Sequence, residues 1–317
     1  MANRPFSDVR RSIGGALPVN HLGFWADLRR RAINALPGSG GEPPLHYRHH
    51  LATTLYVGGN RLLVRLTMGD CDLAFFLQAD DRLIAPWFAL TGNYEVGPTR
   101  YFYNRIRSDS HCVDVGANFG YFTCLMAKLC PQGKVVGIEA DASNAALVND
   151  NILLNTLQDN ASVVHAAASA ATGETLTLYR RPFRSGNTSV AAMGRDFTDR
   201  MGEPPEEPFT VPTLRVDDLL DQMQGRIDFL KIDVEGAEPL AVRGAAQTIA
   251  TNPQLQLIME WSPGQIRSAG FDIGALLAEL TGHGLMPWRI AGRSMRALSI
   301  DDVSNLPYNA GLIWRRS

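Results

Sequence analysis

From residue 111 onward the chain alternates short apolar runs with stretches of helical spacing. "CVDVGA" (112–117) precedes a helical pattern over 119–129, and "KVVGIEA" (134–140) precedes one over 142–155. "SVVHAAA" (162–168) leads to "TLTLYR" (175–180). "IDFLKIDV" (227–234) leads to a helix over 237–250, and "LQLIMEW" (255–261) to one near 271–281. Strands alternating with helices predict an α/β fold with a parallel, doubly wound sheet. "LMPWRI" and "GLIWRR" follow as two strands with no convincing helix between them, so the sheet is expected to end in an antiparallel hairpin.

The first third of the chain reads differently. "TTLYV", a "GGN" turn, "RLLVRLTM" and "LAFFLQ" predict short strands, the first two as a hairpin. "GNYEVGPTRYFYNRI" (92–106) opens a helix. Upstream, Leu22, Trp25, Leu28, Ala32 and Leu36 recur at near-helical spacing beside Arg29, Arg30 and Arg31, and "PGSGGEPP" (37–44) ends the pattern as a linker. The expected organisation is an arm and linker over 1–44, a small β-rich region over 45–91 and the main α/β domain over 92–317. The arm suits its own domain or a second copy in a homo-oligomer, with a membrane surface as the alternative. A polar stretch over 181–209 has no clear element. Within it "SGNTSV" is expected near the site and "MGEPPEEP" exposed, because long irregular segments in compact domains are usually functional or disordered.

Composition narrows the function classes. The chain has 317 residues, 45% hydrophobic and 20% charged, with a formal charge of −2, a globular profile with no sign of bulk nucleic-acid binding. No apolar run is long enough to span a membrane, and the N-terminus lacks a signal-peptide core, so a cytoplasmic location is expected. Cys112, Cys124 and Cys130 have no CxxC spacing and read as reduced, buried residues. All but three of the 30 basic residues are arginine; the lysines are Lys128, Lys134 and Lys231.

The chemistry concentrates in three motifs. In "VDVGANFGYF", Gly116 and Gly120 allow a sharp turn and a close approach to a ligand. A dinucleotide site prefers G-x-G-x-x-G, which brings pyrophosphate to a helix N-terminus. That pattern is incomplete here, and Asp114 disfavours an anion. The motif therefore argues against an NAD-dependent oxidoreductase and for S-adenosylmethionine, which is cationic at its methionine end and has no phosphate. Glu139 ends the next strand, placed to accept both ribose hydroxyls, or else to cap the helix near Ser143. In "IDFLKIDVEGAE", strand alternation puts Phe229, Lys231, Asp233 and Glu235 on one face. Burying those charges is costly unless they are paired or used. Glu260 ends the following strand within plausible reach of the same cleft.

Together with "GIEADASNAALVNDNILLN", "TLRVDDLL" and "LIMEW", these segments resemble the FkbM-type S-adenosylmethionine-dependent methyltransferases over roughly residues 92–262. The resemblance implies a class I (Rossmann-like) methyltransferase fold and methyl transfer, usually to a hydroxyl oxygen, on a glycan or polyketide-type acceptor. It assigns Asp114, Gly116, Asn118 and Gly120 to the methionine end of the cofactor and Glu139 to the ribose, with Tyr121 and Ala140 also expected among the cofactor-binding residues. Ala167 and Ala168 fall at the adenine edge, Tyr94 and Glu95 at the closure over the cofactor, and Asp233 at the active-site mouth.

Transfer to a hydroxyl also needs a base, for which Asp233, Glu260, Lys231 and His165 are candidates. His165, in the third strand, reads as a core or edge histidine before it reads as a base. Lys231 stands where arginine, which cannot lose its proton, is otherwise the rule. A divalent metal shared by Asp233 and Glu260 suits oxygen ligands. Against catalysis stand a structural lysine–carboxylate network and a catalytically silent cofactor-binding or scaffold protein.

Overall fold

The computed structural model describes residues 52–192, 204–291 and 294–316. The expected arm and linker lie outside these residues.

Five parallel strands form one side of an eight-stranded sheet, out to its edge at β6: β4 (His111–Val115), β5 (Lys134–Glu139), β6 (Ala161–His165), β10 (Phe229–Ile232) and β11 (Gln256–Trp261). Both β4 and β10 are buried along their whole length, because both faces of the sheet are covered. Alternation sorts their side chains into two cores. Val113, Val115, Leu230 and Ile232 face one side, where α5 (Glu238–Gly244), α6 (Ala246–Thr251), α7 (Pro263–Ser268) and α8 (Ile273–Gly282) pack. Cys112 and Phe229 face the other, with α2 (Val96–Arg105), α3 (Tyr121–Leu129) and α4 (Ala142–Leu154). The β4–β10 pair is the point where strand order reverses, the usual place for a ligand crevice in such sheets.

The upstream strands are the antiparallel meander β1 (Thr53–Gly58), β2 (Arg61–Met68) and β3 (Cys71–Gln78). Its buried residues Val64, Phe75 and Leu77 join the same core as α3 and α4. Asn151 of α4 and Asn155 at its C-terminal cap fix the join by bonding backbone groups of Phe76 and Ala74.

Several elements differ from expectation. A helix, α1 (Ile84–Thr91), precedes Gly92, which ends it in the left-handed conformation rather than opening α2. The run 162–168 changes sheets: β6 stops at His165, and β7 (Ala167–Ala168) joins a small sheet with β8 (Thr175–Arg180) and β9 (Glu207–Leu214) in the order β7-β9-β8. β9 is hidden in the sequence by Pro208 and Pro212. The Thr213 N–H donates to the Glu174 carbonyl on the β8 side, so by alternation the positions of both prolines face away from β8, where no N–H is needed. The expected helix over 237–250 is two short helices interrupted at Ala245.

At the C-terminus, β12 (Met286–Ala291) and β14 (Asn309–Arg315) pair antiparallel, yet they are not consecutive. Between them come β13 (Ser294–Ala297) and α9 (Ile300–Ser304), the latter started by a Ser299–Asp302 capping box. β14 then inserts between β11 and β12, antiparallel to both. All four cysteines are free and buried.

Candidate active site

A cavity of about 440 Å³ opens at the carboxyl ends of β4, β5 and β10. Its floor is the turn after β4. Gly116 has φ +80°, and a Cβ there would collide with the carbonyl oxygen of Asp233. Gly116 lines the cavity, but its lack of a side chain is required first by contact with the end of β10 rather than by a ligand. Asn118 (φ 53°) also lines the cavity, with Oδ1 buried and unpartnered.

Gly120, Asp114 and Tyr121 do not line it. Gly120 faces Val148 of α4. Asp114, 1% exposed, accepts a hydrogen bond from Thr123 Oγ at 2.7 Å while its Oδ1 has no partner. Tyr121 supports the cavity wall from behind, its ring centroid 5.0 Å from that of Tyr94.

Glu139 is held by the backbone on both oxygens. Oε2 accepts the N–H of Asn118 at 2.7 Å and Oε1 that of Asp141 at 2.8 Å. It does not cap α4; Asp141 does, accepting from the N–H groups of Ser143 and Asn144. Burial pushes the Glu139 carboxyl up to about 7, against the pull of those two amides. Beyond it the cavity becomes an apolar slot between Ala140, Ala166–Ala168, Leu176, Leu178 and Val190. Leu83 and Ile84 close the slot from one side and the Ser185–Thr188 strap from another. Part of "SGNTSV" thus reaches the site as expected. Downstream, Glu206 departs from the expected exposure and lies against Arg181 at 3.4 Å.

The opposite end is acidic. Glu95, Asp233, Glu235 and Glu260 line it with Tyr308 and Gln265. Lys231, 3% exposed, donates to Asp233 Oδ2 at 2.8 Å and lies 4.8 Å from the ring centroid of Phe122. Strand alternation ends at Ile232, so Glu235 reaches the group through a turn in which it takes φ 52°. One carboxylate oxygen from each of Asp233, Glu235 and Glu260 lies within 4.8 Å of the others. Crowding shows in the protonation. Burial, with Asp233, Glu235 and Glu238 adding like charge, pushes Glu260 up to about 10. Burial also pushes Glu95 up to about 8, although Lys231 opposes the shift, and Glu235 to about 8. Burial alone would depress the Lys231 ammonium, but Asp233, Glu95 and Asp114 hold it above its ordinary value. Among the described residues, Glu95 Oε2 and Glu260 Oε2 are buried without a hydrogen-bond partner, as are Asn118 Oδ1 and Asp114 Oδ1.

His165 is exposed, bonds the Ala140 carbonyl at 3.0 Å and does not line the cavity. Sequence reasoning missed Tyr308, which arrives from the loop before β14, and Leu83 and Ile84 at the start of α1. No periodicity marks any of the three as a cavity residue.

This strand order, with an antiparallel strand inserted beside β11 and a cavity over the switch point, is the class I methyltransferase fold. The chain matches the model of the methyltransferase FkbM domain over residues 114–285, more than half its length, and belongs to that family. It is an S-adenosylmethionine-dependent methyltransferase. Methyltransferase sdnD of Sordaria araneosa is 28% identical over 195 residues, covering 52% of this chain and 75% of that protein. Methyltransferase 1 of Beauveria bassiana is 27% identical over 149 residues, covering 43% of this chain and 58% of its own length. Among solved structures, M. jannaschii TYW2 in complex with AdoMet is similar at 13% identity and a TM-score of 0.42, over 83% of this chain and 90% of that one. The O-methyltransferase TomG of Streptomyces achromogenes gives 10% identity and 0.41, over 75% and 87%. Among the described residues, no helix is long and apolar enough to cross a membrane.

Proposed function

We propose that the chain O-methylates a hydroxyl of a sugar, glycan or polyketide-type small molecule, with Asp233 as the base. The observation that carries this reading is the geometry at the acidic end, where Asp233 lines the cavity with the Lys231 ammonium 2.8 Å from its Oδ2. Glu260 and Glu235, raised to about 10 and about 8, hold their protons at neutral pH. Asp233 has Lys231 fixed on Oδ2, which leaves Oδ1 to accept a proton from an acceptor hydroxyl.

The residues present fit the cofactor at both ends. Glu139, steadied by two amides, presents its remaining lone pairs toward the ribose position, and the alanine-lined slot suits a flat base. Glu95 Oε2 and Glu260 Oε2, buried and with no partner among the described residues, can each accept a hydrogen bond from the ammonium of the methionine end. When bound, S-adenosylmethionine supplies an already activated methyl group, so alignment and proton removal are what the chain must provide. Lys231 acts here as the counter-ion that positions Asp233, since its neighbours keep it charged. Asp114, Gly120 and Tyr121 act from behind by holding the turn and the wall.

Labelled S-adenosylmethionine with a panel of sugar and polyketide hydroxyl acceptors tests this reading. Transfer to any of them supports it. Tight cofactor binding with no transfer to any hydroxyl would favour a catalytically silent binding protein. A second reading, in which a divalent cation takes part, is favoured by the convergence of Asp233, Glu235 and Glu260 oxygens. Loss of activity in chelator with recovery on adding Mg²⁺ would select it.

A further inference from the structure

Asp81 lies outside every motif, yet it is 4% exposed and has hydrogen bonds on both oxygens. Its Oδ1 accepts the N–H groups of Leu83, Ile84 and Ala85 at 2.9, 2.6 and 3.1 Å, which satisfies orphan donors at the start of α1. A helix start needs no more than that oxygen. The other is used elsewhere: Oδ2 accepts both the N–H and the Oγ–H of Ser185, at 2.7 and 2.6 Å, from a segment 104 residues away.

Neighbouring contacts make this a clasp. The Arg82 N–H donates to the Phe183 carbonyl at 2.8 Å, and the Arg82 guanidinium lies 4.3 Å from the Phe183 ring centroid. Phe183 itself takes φ 64°, a conformation the clasp must hold. Asn144 Nδ2 donates to the Ser185 carbonyl at 3.1 Å. Gly186 then sits so close to Ile84 that a Cβ there would lie 2.8 Å from Ile84 Cδ1. Both sides of the clasp, Ile84 and Ser185–Thr188, line the apolar slot.

We propose that Asp81 is a positioning residue for the cofactor, a latch that holds the 183–188 strap against the start of α1 and roofs the nucleoside end of the cavity. The proposal rests on the reading that this end takes the nucleoside. Asp81→Asn keeps the size but cannot accept from both sets of donors. If the latched state then falls to about a tenth of the population, the apparent Kd rises about tenfold.

The test uses the full chain, with S-adenosylhomocysteine titrated by calorimetry and limited proteolysis followed in parallel. Asp81→Asn should raise Kd about tenfold and speed cleavage within 181–192, while kcat at saturating S-adenosylmethionine stays within about threefold. Ser185→Ala should have a smaller effect, and the double variant should show less than the sum of the two. Asp81→Asn with wild-type affinity, or with weakened affinity but unchanged cleavage, would overturn the latch. Glu139→Ala is the control: unchanged affinity there would instead overturn the placement of the cofactor. If Asp81→Asn fails to fold, Ser185→Ala decides alone by the same two readouts.

Discussion

Glu139, the last residue of β5, and Asp233, the first residue after β10, are carboxylates at the same edge of one sheet on either side of β4, and their surroundings are opposite. Glu139 meets two backbone N–H groups and lies beside an apolar slot. Asp233 meets one buried ammonium and a group of other carboxylates. Backbone amides cannot move or change charge, so they make Glu139 a fixed acceptor suited to binding. At Asp233 the Lys231 ammonium occupies Oδ2 and leaves Oδ1 toward the cavity, which suits chemistry. Residue type and strand position alone do not distinguish the two roles.

The largest expected effect breaks the comparison at the chemical end. Asp233→Asn should lower turnover by about 10²–10⁴-fold, the usual loss for a general base, with cofactor affinity changed by less than about tenfold. Near-normal turnover in steady-state assays would remove the base role from Asp233. At the binding end, Glu139→Ala should weaken S-adenosylmethionine binding by about 10- to 150-fold, as expected for hydrogen bonds to a charged acceptor. Calorimetry on the folded variant checks this, and kcat at saturation should change far less. The two substitutions should therefore separate cleanly into rate and affinity.

Lys231→Arg sharpens the comparison further. Arginine keeps a charge beside Asp233 but cannot act as a base. With lysine as counter-ion, turnover should persist at about a tenth of wild type or more, reduced by the poorer fit over Phe122. Complete loss in a folded variant would return Lys231 to the list of bases.

The smallest effect is on stability. Glu95, Glu235 and Glu260 have folded values of about 8, 8 and 10, above the ordinary 4.5. The folded state therefore keeps protons that the unfolded chain releases. Their stabilising contribution is full below about pH 4.5 and is lost as pH rises through the folded values. Tm of the ligand-free protein should fall between about pH 6 and 9. S-adenosylmethionine, carrying a positive sulfur, should flatten that fall more than S-adenosylhomocysteine does. Parallel curves with the two ligands would separate the acidic end from the sulfonium.

The sequence by itself determined the central sheet, because strand and helix periodicities are local and the glycine turn must follow β4. It also located Gly116, Asn118, Glu139, Asp233 and Glu260 at strand ends, where the cavity opens. The tertiary structure decided what that list becomes. It moved Asp114, Gly120 and Tyr121 behind the wall, since a turn's side chains can face either its ligand or its own helix. It brought Tyr308 to the cavity from the loop before β14, and Leu83 and Ile84 from the start of α1, none of them marked by a periodic pattern. It inserted β14 beside β11 across an intervening strand and helix, and admitted β9 despite two prolines. Each of these rests on contacts between residues far apart in the chain, and only the packed sheet and its two cores bring such residues within reach.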